Sequence, residues 1–299
     1  MSLITIVGAF DQGLIFAVLS LGLYIAFRIL DLPDLTVDGS FVTGLAISGM
    51  FALNGHPYLG IVGSLIGGLL AGVFTGVLHT KFNIQAILAG ILTMTALYSI
   101  NLKIMGLKPS IIFYGKTTIF SFIENHFILL GLDVSKSILL LIIVMIVLGL
   151  MLWFFKTNLG LALRATGDNE IMVRSSSINT DFMKILGFAL ANALVGLSGG
   201  IYIQYNQQAS YTVGIGMLVL SLASIIIGET IFSTKNLLAD LVSIVLGSIV
   251  YRFLITYAFQ LGLPASDIKL FSAVIVIFAI SIPVVKTKYL KWRKIHARS

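Results

Sequence analysis

The sequence predicts an all-α polytopic transmembrane bundle of about eight to nine spanning helices with a short cytoplasmic coupling helix, and three observations carry that prediction. The 299 residues are 58% hydrophobic and only 10% charged, whereas soluble domains carry roughly 25% charge. Apolar runs fill nearly the whole chain and leave no polar stretch long enough for a soluble domain. Many of the basic residues sit at the ends of those runs, as they do in proteins whose topology they set. Residues 1–299 therefore read as a single membrane domain.

A helix needs about 20 apolar residues to cross the hydrocarbon, and nine runs roughly qualify. The first, residues 3–27, holds Asp11 and Gln12, has no basic leading segment and no small-residue cleavage site, and so reads as a retained span. Residues 36–53 follow as the second run and 58–79 as the third. In the third, Gly60, Ser64, Gly68, Gly72 and Gly76 recur every four residues on one helical face. Small residues let backbones approach in lipid, so this face reads as a tight packing seam, with subunit pairing or a moving seam as the alternative. Residues 84–105 form the fourth run; it and the second are candidates for broken or re-entrant helices. The fifth is 137–155. The sixth, 183–204, repeats a small-residue face at Gly187, Ala191, Val195 and Gly199. Residues 215–232, 237–258 and 268–285 complete the set.

Basic residues orient the bundle. Lys156, Arg164, Arg174 and Lys184 crowd one inter-run stretch, and Lys286, Lys288, Lys291, Arg293, Lys294 and Arg298 crowd the tail at 286–299. Both stretches are expected in the cytoplasm. Four runs separate them, an even number, and counting backward places Arg28, Lys81 and Lys235 inside, with the amino terminus and segment 106–135 outside. A multi-pass protein of the cell membrane, in contact with lipid, follows.

Several function classes find no support. The net charge of +7 is not arranged as a basic stripe with interleaved aromatics, so nucleic acid is not an expected partner. No cysteine is present, which excludes disulfides and Cys-based metal sites. His56, His79, His126 and His296 fall at loops or helix ends without metal-ligand spacing, and no nucleophile constellation stands out. Ser110–Thr117 echoes a phosphate-binding loop but has Ser110 where the first glycine belongs. No catalytic residue, metal or cofactor is expected in this chain, and any ATP-derived energy has to come from another chain.

Charges within spans are informative because each costs on the order of 3 kcal/mol at the bilayer centre. Asp11, Asp38, Glu229, Asp240 and Arg252 are the candidates. Asp38, Glu229 and Asp240 are expected near cytoplasmic helix ends, where capping and local pairing explain them as well as function does. Arg252 is deeper and either snorkels, pairs with an acid or lines a solute path. The stretch Asp31–Ser40 reads D-L-P-D-L-T-V-D-G-S. It is either a capped turn or a broken element beside the path, which makes Asp38 and Ser40 candidate path residues. The loop Gln204–Thr212, with Asn206, Gln207, Gln208 and Tyr211, is either ordinary solvated loop or an external contact and gate.

Leu159–Asn179 is too polar to span and too short for a domain. Leu161, Ala165 and the pair Ile171/Met172 are placed to form an apolar face on short helical pieces, suited to a groove on a partner or to the membrane surface. Here the sequence resembles the permease subunits of ATP-binding-cassette importers of the branched-chain amino acid and ribose type. Their coupling loop has the form G-x-x-x-R-A-x-G-x-N, followed by a basic residue, an isoleucine and a small-residue-rich helix. Gly160, Arg164, Ala165, Gly167, Asn169, Arg174 and Ile178 match it, within a coupling segment at 157–181. Asp34–Ser40 is similar to the motif before the family's second core helix, and Ile225–Gly228 to its I-x-I-G segment. Glu229, Thr230, Ile231 and Phe232 then depart from the glycine-rich turn usual in the family. The phrases F-R-I-L-D-L-P-D-L-T-V-D-G-S and G-I-L-T-M-T-A-L-Y-S-I-N resemble the tryptophan/tyrosine-type subgroup.

The resemblance implies a permease without enzymatic activity, carrying a small solute, an amino acid and by first guess an aromatic one. It implies a cytosolic ABC ATPase that holds ATP and Mg, an extracytoplasmic solute-binding lipoprotein, and a second permease copy in a homodimer. The residues themselves leave two rivals open, an ion-coupled secondary transporter and a non-transporting membrane scaffold.

Overall fold

A computed structural model describes residues 2–123, 128–129, 132–232, 236–262, 267, 270–278 and 281 of the chain. Helix α1 (Leu3–Tyr24) continues through a π-helical turn at Ile25–Ile29. Then come α2 (Val37–Leu53), α3 (Pro57–Thr80), α4 (Ala86–Ile104), and the short strands β1 (Ser110–Ile112), β2 (Ile128–Leu129) and β3 (Leu132–Asp133). After them follow α5 (Ser135–Lys156), α6 (Asn158–Asp168), α7 (Glu170–Ser175), α8 (Thr180–Asn206), β4 (Gln208–Ser210), a 3-10 turn at Tyr211–Gly214, α9 (Met217–Ile231) and α10 (Leu237–Gln260).

Seven helices among the described residues are long and apolar enough to cross a membrane, and α2 is a shorter apolar helix of 17 residues. The expected ninth run is helical at residues 270–278, and its remaining residues lie largely outside those described. Lys235, His126, His296 and the basic tail at 286–299 also lie outside them.

Helix α8 is the axis, packed against α3, α2 and α1. Its seam with α3 is dictated by the four-residue glycine pattern: a Cβ on Gly68 would fall on the Asn192 carbonyl, and one on Gly72 on the Phe188 carbonyl. Ser64 is fully buried, and a Cβ on Gly200 would strike its side chain. The second small-residue face looks the other way, with Gly199 against the Phe41 backbone and Gly187 against Leu30. On the opposite side of α3, Tyr58, Val62, Ile66, Leu70 and Phe74 are exposed, an apolar stripe that suits contact with acyl chains.

Contacts between helix ends fix their relative directions. Arg28 pairs with Glu229 and Lys81 with Asp181, while Gly167 of α6 sits on the Ile29 carbonyl. The ends of α1, α3 and α9 and the start of α8 therefore gather with α6 at one end of the bundle. At the far end, buried Asp11 accepts hydrogen bonds from Tyr205 at 2.9 Å and from Ser137, tying α1 to α8 and α5. This arrangement groups Arg28, Lys81, Arg164, Arg174 and Lys184 as the charge count does.

Candidate solute path and coupling surface

Two helices begin inside the bundle. After the π-helical turn the chain reverses through Asp31, which adopts a left-handed φ of 53°, and Pro33. Asp34 is then 1% exposed and is held by the Thr36 N–H at 2.8 Å and the Asn192 amide at 2.6 Å. Asn192 also accepts from the Ser40 hydroxyl at 2.6 Å. A second chain of buried hydroxyls joins Thr36 to Thr75 at 2.7 Å and Thr75 to Thr93 at 2.9 Å. Asn192 lies about 18 Å along α8 from Thr180, at 1.5 Å per residue. The first turn of α2, bonded to it through Ser40, is thus placed near the middle of the bundle.

The other such helix is α9. Gln207 ends α8 in a left-handed conformation (φ 56°), and β4 pairs antiparallel with β1. The chain then turns inward, and Gly216 adopts φ 96°, which favours glycine. The Asp38 carboxylate accepts from the N–H groups of Gly216 at 3.0 Å and Leu218 at 2.9 Å, capping α9 with a negative charge at its positive dipole end. A Cβ on Gly214 would collide with Val42, so the two helix starts meet closely.

Beside this meeting point is a cavity of about 320 Å³ whose lining includes Asp38, Met94, Tyr98, Asn101, Tyr211 and Ile215. The rings of Tyr98 and Tyr211 stand edge to face, 5.4 Å apart. Asn101 is 2% exposed; its amide nitrogen donates to the Gly39 carbonyl at 3.2 Å, and its oxygen has no partner. The walls are largely apolar with a few convergent polar groups, the usual character of a small-molecule site.

At the α6 end, Thr157 caps α6 by accepting from the Gly160 N–H at 3.2 Å. Gly160 lies against the Phe154–Phe155 backbone. Asn169 closes α6 and caps α7 through Met172 N–H at 3.0 Å. Arg174 reaches Glu170, Thr180 and Asp181, and Lys184 donates to Glu170 at 2.8 Å. This hydrogen bond from Lys184 is the main reason the Glu170 carboxyl titrates below its ordinary range. Ile178 packs against the core. Leu161, Ile171 and Met172 are exposed, Ile171 by 84%.

Residues 5–280 match the family described as branched-chain amino acid transport system / permease component. The chain belongs to that family. It is 40% identical over 273 residues to the tyrosine transport system permease protein of Clostridioides difficile (strain R20291), covering 91% of this chain and 89% of that one. It is 24% identical over 250 residues to the ribose import permease protein of Escherichia coli (strain K12), covering 83% and 75%. A probable branched-chain amino acid transport permease protein of Methanocaldococcus jannaschii is 23% identical over 231 residues, covering 74% and 72%. No solved structure matches the chain significantly. The chain is a multi-pass permease component of an ABC-type transport system.

Within this permease the residues singled out from sequence separate into four places. Asp38 and Tyr211 line the same cavity. Ser40 is buried in the Asn192 network, and Gln207 terminates α8, its carbonyl accepting from Phe113 N–H at 3.0 Å. Arg252 lies in α10 beside a different cavity. Three expectations need correction. Asp38 does not stand at a watery cytoplasmic helix end, because α2 starts beside the first turn of α9, about 18 Å along that helix from Glu229. The fourth run is a continuous helix, α4, and the seventh, not the fourth, supplies the second deep helix start. Gln204 is not in a loop: it is buried in α8, bonded to Ile119 N–H, the Ser48 hydroxyl and the Pro57 carbonyl. Tyr98 and Asn101 also line the cavity; no motif points to them in the sequence, although an asparagine inside an apolar run is a usable signal.

Proposed function

We propose that this permease carries an aromatic amino acid inward through the cavity where α2 and α9 begin. The observation that carries the reading is the cavity itself: about 320 Å³, with Asp38 and the unpaired Asn101 oxygen as acceptors beside the Tyr98–Tyr211 pair. An amino acid presents an ammonium group to such acceptors, and an aromatic side chain stacks on such rings. The 40% identical tyrosine transport permease supports the same class. Discontinuous helices that place their ends and unwound backbone at a midplane site are a recurring transporter device.

In the complete importer, two copies of the permease form a homodimer, a cytosolic ABC ATPase docks on α6 and α7, and an external solute-binding lipoprotein delivers solute near segment 207–216. The coupling segment and tail face the cytoplasm. The ATPase binds ATP and Mg and carries out the hydrolysis, and the permease contributes no catalytic residue to it. Gly160, Arg164, Ala165, Gly167, Asn169, Arg174 and Ile178 shape the docking segment, and the contact of Gly167 with the Ile29 carbonyl links it to the π-helical turn. π-Helical turns are frequent at functional sites.

The test reconstitutes permease, ATPase and binding protein in lipid and measures ATP hydrolysis with tyrosine, tryptophan, leucine and ribose. Stimulation by the aromatic pair alone supports the full reading. Stimulation by leucine or ribose removes the aromatic assignment. ATPase that fails to associate with the permease removes the coupling assignment. The chain contains no cysteine, so a single Thr95→Cys at the cavity wall reports directly on occupancy: tyrosine should slow its thiol labelling, and equal rates with and without solute would place the path elsewhere.

A further inference from the structure

The far end of the bundle holds a second cavity, of about 410 Å³, between the first turns of α1 and the last turns of α10. Thr5, Gly8 and Gln12 wall it from α1, and Arg252, Thr256 and Phe259 from α10. Open space lies above Gly8, where an added Cβ would meet nothing within 4 Å. Arg252 stands about 12 Å along α10 from Gln260, roughly two turns from the end of the helix. Its guanidinium carbon lies 5.5 Å from the centroid of the Phe16 ring. Its Nε and the Gln12 Oε1 are both buried without a hydrogen-bond partner.

No carboxylate among the described residues lies within ion-pair distance of Arg252, whereas Arg28, Lys81, Arg174 and Lys184 each have an acidic partner. A ring face offsets part of a buried cation's lost hydration and leaves its charge uncompensated. With no carboxylate among the described residues in contact with Arg252, an anion entering the cavity would supply a direct countercharge. The flanks of the cavity narrow its source, because Ile4 and Ile6, on either side of Thr5 in α1, and Tyr257, next to Thr256 in α10, are exposed apolar side chains. The occupant must set an anion on Arg252, a hydrogen-bond donor on Gln12 Oε1, and apolar surface along the flanks.

We propose that this cavity is a headgroup site for phosphatidylglycerol. The phosphodiester, a single negative charge with two free oxygens, pairs with the Arg252 guanidinium, which donates and cannot accept. A glycerol hydroxyl of the headgroup donates to Gln12 Oε1, and the acyl chains run along the exposed apolar flanks. A free anion meets the first requirement only, and phosphatidylcholine supplies neither net charge nor hydroxyl donor.

The experiment is native mass spectrometry of the full chain, delipidated in mild detergent and offered phosphatidylglycerol and phosphatidylcholine with identical acyl chains. Wild type should retain one phosphatidylglycerol with a preference of about fivefold or more, the scale of one phosphate–arginine attraction at a membrane. Arg252→Gln should erase the preference, Arg252→Lys should keep part of it, and Gln12→Leu should lower it with Arg252 in place. Circular dichroism of each variant separates lost binding from lost fold, and Arg252→Lys and Gln12→Leu keep the test open if Arg252→Gln does not fold. Equal retention of the two lipids by wild type, or an undiminished preference in Arg252→Gln, overturns the proposal. Displacement of the lipid by chain-free glycerophosphoglycerol at equal concentration overturns it too, because the site would then read a soluble anion.

Discussion

Asp38 stabilises a helix to which it does not belong. Replacing it with alanine leaves the Gly216 and Leu218 N–H groups without their acceptor, a loss of about 1 kcal/mol on the scale of helix caps and up to about 3 for buried donors. The expected outcome is a lower thermal midpoint for Asp38→Ala in detergent, only partly restored in Asp38→Asn, which keeps an acceptor oxygen for one of the two N–H groups and turns a donor toward the other. An unchanged midpoint in the alanine variant would remove the capping role. Asn192 bridges Asp34 and Ser40, so Asn192→Leu should cost more than Ser40→Ala, because it strands a buried carboxylate as well as a hydroxyl. Denaturation of the two variants side by side checks the order. Little of this was legible residue by residue. Asp38 and Ser40 stand out in a polar interruption, but their partners lie 152 or more positions away, and sequence spacing carries no information about such pairs. Glu229 is visible as a departure from the family pattern; its cause, a two-pronged bond to Arg28 at 2.7 Å in both arms, appears only in three dimensions.

Among elements, the α3–α8 seam was the most legible, because a four-residue glycine period fixes a helical face without knowledge of what covers it. Gly72→Leu should abolish folded protein in a size-exclusion assay, since its side chain would occupy the Phe188 backbone and overpacking of a tight interface typically costs about 1–3 kcal/mol or more. Gly149→Ala, with nothing within 4 Å of the added carbon, should be neutral or stabilising by up to about 1 kcal/mol. The tie between α7 and α8 has a pH signature. Lys184 donates to Glu170 and depresses its titration below the ordinary 4.5. The stabilisation is therefore present at neutral pH and is lost as pH falls below 4.5 and through the depressed value. Thermal midpoints of wild type and Glu170→Gln should converge as pH drops through that window and separate toward neutrality; a constant gap would rule the ion pair out as its cause. The two deep helix starts were half legible. Pro33 advertises an interruption before α2, and Gly39 falls within its first turn, whereas the turn into α9 reads as an ordinary end of an apolar run.

For the whole molecule, nearly every boundary of the apolar runs falls within a few residues of a helix, because hydrocarbon thickness and backbone satisfaction leave a membrane chain few options. What hydropathy does not encode is depth, so it puts Asp38 at a watery end and gives no sign of the cavity beside it. The exposed face of α6 and α7 belongs to this scale as well. Ile171 and Met172 are 84% and 55% exposed, so Ile171→Ser with Met172→Ser should leave the unfolding free energy within about 0.5 kcal/mol of wild type. The same double variant should weaken copurification with the ATPase; retained copurification would move the docking surface elsewhere. The α3–α8 seam, finally, constrains how the chain can change over generations. Every missense change at the codons for Gly68 and Gly72 adds a side chain where a backbone carbonyl already lies. The exposed positions of α3, such as Val62, Ile66 and Leu70, can drift among apolar residues while selection has no graded alternative to offer on the opposite face of the same helix.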